Sequence, residues 1–331
     1  MDLRSDTVTK PTQKMRQAIY QAKVGDDVFQ EDDSINELQE YGVKIFAKPA
    51  SLFFPTGTQA GLCTLLSHCQ RGDEYICGQD SHIYKYEGGG GAVLGGIQPQ
   101  PIENNDDGTL DLAKVTQAIK PIDFHFAKTK LLCLENTIMG KTLTMKYMEQ
   151  AKDLAKSKNL NIHLDGARIF NAAIELKCDV RDILKHFDSA TICLSKGLSA
   201  PIGTLLVGEK DFIKQALRWR KMCGGGMRQA GFMAAAAKVA LEESPLLLIE
   251  DHKKANSLQK LLKKRAKLKA VAHTNMVFFE VPASHCKPLQ DDLLKAGFKS
   301  FINPYTRIVF HKDIAHQEVL TLAKVILDYF A

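Results

Sequence analysis

Uninterrupted apolar runs long enough to cross a bilayer are missing from this chain, so no membrane-spanning helix is expected. The opening MDLRSDTVTK is charged and polar from its second residue, which argues against a signal peptide there and points to a cytoplasmic protein. Eight cysteines are present, but none forms a CxxC pair or a Cys/His spacing of the metal-binding kind, and several sit in apolar runs such as 131–134. They are expected to be reduced core residues, with neither a disulfide framework nor a metal site. The glycines at 88–91 and 224–226 do not fit G-x-G-x-x-G, and no Gly-Lys-Ser/Thr follows a glycine run. A nicotinamide enzyme is therefore the weaker α/β alternative, and ATP is not indicated. Net charge is only +6, and much of the excess lies in 260–269, where leucines alternate with lysines at roughly helical spacing. With no aromatic or glycine recognition module beside it, that stretch reads as a solvated helix face, and no nucleic-acid partner is expected.

What is present is a chain of 331 residues, 45% hydrophobic, long enough for one large domain and a smaller one. Short apolar runs rich in β-branched and aromatic residues fall at 50–54, 74–77, 130–134, 160–164, 189–194 and 203–207. Segments of helical period alternate with them, among them 58–69, 112–119, 145–158 and 211–221. Strand and helix taking turns predict an α/β fold with a mainly parallel sheet covered on both faces. Ser244-Pro245 breaks a helix that begins near Arg228, and the pattern then changes to a long helix, a strand at 275–281, a helix, a strand at 306–310 and a closing helix. This predicts a small α+β C-terminal domain over 246–331, together with residues 1–10, after a large domain over 11–245.

Two residues say most about chemistry. Asp165, in NIHLDGAR, and Lys196, in TICLSKG, each sit where a short apolar segment gives way to glycine and polar residues, where an open α/β sheet places its ligand chemistry. A lysine there is an amine nucleophile for a Schiff base, and a carboxylate across the crevice can hold a pyridine nitrogen protonated. Those are the groups pyridoxal 5′-phosphate needs most. Taken singly, each also reads as a surface lysine or a helix-capping aspartate. FFPTGTQAG at 53–61 adds a strand end, a tight turn at Pro55 and Gly57 and a helix starting at Thr58, an anion site in waiting or a plain capping arrangement. KMCGGGMRQ at 221–229 sets three glycines between Lys221 and Arg228, a second phosphate contributor or an interhelical linker.

Together, DLRSDTVT at 2–9, VGDDVF at 24–29, PTGTQAG at 55–61, HLDGARIFNA at 163–172, CLSKGL at 193–198 and GGGMRQAG at 224–231 resemble the low-specificity L-threonine aldolases. The resemblance covers the whole chain in order. It implies the pyridoxal-phosphate transferase fold of type I, with a seven-stranded sheet, and cleavage of L-threonine and L-allo-threonine to glycine and acetaldehyde. It also implies a homo-oligomer, tetramer or at least dimer, with sites shared between subunits. By the resemblance Lys196 carries the cofactor as a Schiff base and Asp165 pairs with its ring nitrogen. Gly57 and Thr58 bind its phosphate with Arg228 and Lys221 from a neighbouring subunit, and His82 stacks on the ring facing the substrate hydroxyl. Ser5, Arg168 and Arg307 hold the amino-acid carboxylate, Arg168 with the planar fork that takes a carboxylate in two bonds.

His82 is favoured as functional over a loop histidine. His125, between Phe124 and Phe126, stands equally as half-buried packing or as a second proton acceptor. His163 points to the same strand face as Asp165, as its supporting partner or as a core histidine. Phe29 and Tyr86 wall the substrate pocket or pack in the core. One departure from the family pattern is Ile138-Met139, where relatives often carry a histidine after Glu-Asn-Thr, which puts the substrate range in doubt if that loop approaches the β-carbon. Another pyridoxal-phosphate lyase or an aminotransferase would keep Asp165 and Lys196 but release a different product. A non-catalytic interaction protein would bind no cofactor at all.

Overall fold

The computed structural model describes residues 1–263 and 268–331. Among the described residues the chain forms a seven-stranded sheet from β1 (Ala50–Phe54), β2 (Asp73–Gly78), β3 (Gln98–Ile102), β4 (Lys128–Glu135), β5 (Asn161–Asp165), β6 (Ser189–Cys193) and β7 (Thr204–Gly208). Their spatial order is β1-β7-β6-β5-β4-β2-β3. Pairing from β6 through β3 is parallel, while β7 runs antiparallel to both its neighbours, β6 and β1. The central strands are buried on both faces, as in the runs of consecutive buried residues in β4, β6 and β7, because helices cover both sides. Six strands lie where the apolar runs predict them, within two residues at each end. The seventh, β3, has the sequence QPQPI, whose two prolines cannot donate to a ladder; it is confined to the sheet edge, beside β2.

A second, three-stranded antiparallel sheet is built from β8 (Val271–His273), β9 (Met276–Glu280) and β10 (Tyr305–Val309), in the order β10-β9-β8. With the helices Leu248–Lys263, Ala283–Lys295 and His316–Tyr329 it encloses its own core. Leu3 belongs to that core: its N–H donates to the Lys299 carbonyl and its carbonyl accepts from the Val309 N–H. The N-terminal segment therefore packs in the small unit at Leu3 and reaches the large unit at Thr9, whose hydroxyl donates to the Lys196 carbonyl. Of the lysine-rich stretch, Lys260 and Lys263 lie in the last turn of the helix Leu248–Lys263 while Leu262 is buried, as expected of a solvated helix; residues 264–267 lie outside the described residues.

Candidate active site

Parallel strands deliver their carboxyl ends to one edge of the sheet, and β7, running the other way, starts there. β5 ends on Asp165, β6 leads through Ser195 to Lys196, β1 leads through Pro55 and Thr56 into the helix Gly57–His68, the segment after β2 carries His82, and Thr204 opens β7. Gly57, Thr58, His82, Asp165, Lys196 and Thr204 thus line one cavity of about 270 Å³. The two residues thirty-one positions apart in sequence share a crevice because their strands are neighbours.

Local chemistry fixes each group. After Lys196 the backbone turns sharply: Ser199, buried at φ 69°, donates its N–H to the Lys196 carbonyl at 2.9 Å, and the same carbonyl accepts the Thr9 hydroxyl at 2.8 Å. The lysine is therefore presented by a turn pinned from the N-terminal segment. Asp165 accepts the Ala167 N–H at 2.9 Å. Gly166 behind it lets the chain cross close to β6, since a Cβ there would stand 2.8 Å from the Thr191 carbonyl. At the helix Gly57–His68, Thr56 caps the end by accepting the Gln59 N–H at 3.1 Å, while Gly57 and Thr58 have no intrahelical acceptor for their own N–H groups. The Thr204 hydroxyl, on a residue lining the same cavity, is buried with no hydrogen-bond partner.

His82 is held at both ends. Its backbone N–H donates to Glu135 Oε2 at 2.8 Å, and its Nδ1 lies 2.9 Å from Glu87 Oε1. The hydrogen bond to Glu87 lifts the His82 pKa above its ordinary value despite the opposing burial. Burial, then repulsion from Asp165, pushes Glu135 up to about 8. Glu87 lies in none of the motifs quoted above, and Glu135 opens the Glu-Asn-Thr run without having been assigned a role. Glu135 could have been found by the same strand-end reasoning that found Asp165, and Glu87 only by its being five residues past His82.

Arg168 is already paired within the chain. Its Nε and Nη2 are both engaged, at 2.8 and 2.6 Å, by the carboxylate of Asp6. The Nε/Nη2 edge of its fork is taken, leaving the Nη1/Nη2 end for a ligand. Asp6 is fully buried, and burial alone would raise its pKa; the charge and hydrogen bonds of Arg168, helped by Lys196 and Asn275, outweigh that and hold it below the usual carboxylate range. No local signal identifies Asp6, whose partner is 162 residues away. Ser5 sits beside it, its hydroxyl accepting the Thr7 N–H. Arg307 is half-buried near Arg168, its pKa lowered by burial and then by that neighbouring charge. Its Nη2 donates to the Arg4 carbonyl at 3.3 Å.

Other expected residues are not brought to this cavity within one chain. His125 lies before the start of β4, at the far end of the sheet, bonded to the exposed Asp123; the expectation of a second proton acceptor is not met from within the same chain. Phe29 is 70% exposed, and Arg228 pairs with Asp26 on the same surface. Lys221 lines a separate groove with Asp27, Val28 and Gly226. Tyr86 is exposed, with its ring 5.7 Å from that of His82. His163 lines the cavity, but its Nδ1 bonds Ser189 at 2.8 Å and burial holds its pKa well down, which is the behaviour of a neutral core histidine. Ile138 is buried in the main core, and neither it nor Met139 is among the residues lining this cavity.

A family model described as beta-eliminating lyase matches residues 2–284. The low specificity L-threonine aldolase of Escherichia coli K12 is 48% identical over 323 residues, covering 98% of this chain and 97% of its own. The Leishmania major threonine aldolase structure shares the fold, with a TM-score of 0.86 at 18% identity and coverage of 100% and 99% of the two chains. A structure of SPT with PLP has a TM-score of 0.78 at 14% identity, covering 99% of this chain and 87% of its own. With nearly half its residues identical across almost the whole length of both chains, and strand-end chemistry of the matching kind, the chain belongs to the beta-eliminating lyases and, among them, to the low-specificity L-threonine aldolases.

Proposed function

We propose that this chain cleaves L-threonine and L-allo-threonine to glycine and acetaldehyde, with pyridoxal 5′-phosphate held in the strand-end cavity. The observation that carries the reading is the meeting of Lys196, Asp165, His82 and the start of the helix Gly57–His68 around one cavity. That donor set fits the cofactor: an amine to tether it, a carboxylate for its ring nitrogen, free N–H groups and the unpartnered Thr204 hydroxyl for an anion, and an imidazole to cover the ring. When bound, the cofactor supplies a ring that takes up the electrons of the broken Cα–Cβ bond.

The protein's share is positioning and proton handling. Lys196 would tether the cofactor through its amine, and Asp165 would pair with the ring nitrogen and keep it protonated. Arg307, Ser5 and the Nη1/Nη2 end of Arg168 would hold the substrate carboxylate and so fix the orientation of the Cα–Cβ bond. His82 covers the ring and accepts the proton of the β-hydroxyl. Phe29, Lys221 and Arg228, clustered on a surface away from their own cavity, serve a partner chain's site, and exposed His125 also acts only from a neighbouring chain; Tyr86 lies beside His82 at the mouth. This requires at least a dimer, and we take a tetramer as the working form. The same reading places the enzyme in the reducing cytoplasm, supported by eight cysteines all free. It also divides the chain into 11–245 and 246–331 with 1–10, supported by the separate second core that Leu3 joins.

The test is acetaldehyde release from threonine and allo-threonine side by side by the purified protein with pyridoxal phosphate, read by coupled reduction of the aldehyde. Formation of a keto acid in its place would overturn the reading in favour of transamination.

A further inference from the structure

We propose that Glu87 is the positioning residue that makes Nε2 of His82 the proton acceptor for the substrate hydroxyl; this rests on the function proposed above. His82 is fixed by two acidic side chains from different parts of the fold, one on its backbone and one on its ring. Glu135, at the end of β4, ties down the backbone N–H of His82, and Glu87 engages Nδ1 at 2.9 Å. With Nδ1 occupied, Nε2 is the ring nitrogen left to face the cavity. The His82 side chain is 42% exposed and that of Glu87 only 9%, so the carboxylate stands behind the ring and away from solvent.

The place of Glu87 is built from the other side as well. Gly61, in the helix Gly57–His68, has no side chain where a Cβ would come within 3.0 Å of Glu87 Oε2. The missing side chain leaves a recess in the helix wall, and the carboxylate fills it.

Chemically, a carboxylate accepting Nδ1–H selects the tautomer whose lone pair is on Nε2. As the Cα–Cβ bond breaks, its electron pair goes to the cofactor, the hydroxyl proton passes to Nε2, and the O–H electrons become the second bond of the aldehyde carbonyl. The imidazolium so formed stands against Glu87, which stabilises it. The other titratable groups facing His82 are Glu135, Asp165, Lys196 and Tyr86, the last with Lys85 over its ring. Asp165 adds to the upward pull and Lys196 opposes it. Burial raises Glu87 itself, while His82 and Lys196 draw it down. The base form of His82 therefore prevails only above its raised pKa, and removing the Glu87 charge moves that boundary to lower pH.

In the cofactor-loaded enzyme, Glu87→Gln is expected to lower kcat about 10- to 100-fold with KM for threonine within about twofold, and to shift the acid limb of the kcat profile to lower pH. The imidazole titration of His82, followed by NMR in the full-length protein without substrate, is expected to shift the same way. That titration needs no turnover, so it separates failure of the Glu87 role from failure of the aldolase reading. Gly61→Ala, which crowds the carboxylate without touching its charge, is expected to move the titration in the same direction and serves if Glu87→Gln does not fold. An unmoved titration in either folded variant, or a loss confined to KM, would overturn the proposal.

Discussion

At the scale of single residues, the Asp6–Arg168 pair shows how a buried charge becomes tolerable. The Asp6 side chain is wholly buried and that of Arg168 is 12% exposed, so their attraction acts with little solvent screening, and removing one partner strands the other. Asp6→Asn is expected to cost about 3–5 kcal/mol of stability, read from urea unfolding. Because the folded pKa of Asp6 is depressed, its contribution is complete above the unfolded value and lost as pH falls through the folded one. The wild type should therefore weaken steeply below about pH 4, and the variant less so. Glu135 has the opposite sign: raised to about 8, it holds a proton in the folded state that the unfolded chain has released above about pH 4, so stability falls as pH rises between those values. Glu135→Gln, which keeps an acceptor for the His82 N–H, is expected to raise the melting temperature more at pH 8 than at pH 5; an equal change at both would reject the assignment. Lys196→Ala should abolish aldehyde release with the fold intact by circular dichroism, and unchanged turnover would remove the central assignment. Lys196 and Asp165 were legible from sequence because strand-end chemistry is local. Asp6 was not, because its role as a partner depends on a contact 162 residues away.

At the scale of elements, the helix Gly57–His68 does two jobs with one sequence. Its capped, N–H-rich start faces the cavity, and Gly61, one turn on, makes room for Glu87. Thr56→Ala removes the cap and is expected to cost about 0.5–2 kcal/mol in thermal unfolding. If the helix start holds the phosphate, the same variant should also bind pyridoxal phosphate more weakly by fluorescence titration, and an unchanged affinity would detach the phosphate from this helix. The glycines at 224–226 satisfy the plain reading structurally: they link the helices Lys210–Met222 and Gly231–Glu243, with Gln59 bonded to the Cys223 carbonyl beside them. Periodicity found six of the seven strands of the large sheet, since apolar runs register burial on both faces. It missed β3 because prolines spoil a strand signal except at an edge, and edges are a property of the sheet.

At the scale of the whole molecule, the cavity of one chain lacks several of the residues its family resemblance calls for. Lys221 and Arg228 stand elsewhere on the surface, near Phe29 and Asp26. If they complete a partner's site, chains carrying Lys196→Ala and chains carrying Arg228→Ala should each be impaired, and a refolded mixture should recover roughly a quarter of wild-type activity through mixed dimers with one intact site each. No recovery, with mixed dimers shown by mass spectrometry, would place Arg228 outside the partner's site. The loop before β4 exposes Ile122 at 98% and Phe124 at 91% beside His125, and sedimentation of Phe124→Asp is expected to show a smaller assembly than the wild type.

By itself the sequence determined the alternation of strand and helix, the change of pattern near Pro245, and the residues whose chemistry is announced by their own neighbours: Lys196 after an apolar run, Asp165 before Gly166, a helix start at Gly57. Those features are local, and periodicity, turn chemistry and capping are enforced within a few residues. Only the tertiary structure decided that Asp6 occupies the fork of Arg168, that Glu87 stands behind His82 in the recess at Gly61, and that His125 belongs to the far end of the sheet. Each depends on where distant strands lie side by side, and desolvation and charge pairing act on that arrangement in space, whatever the separation along the chain.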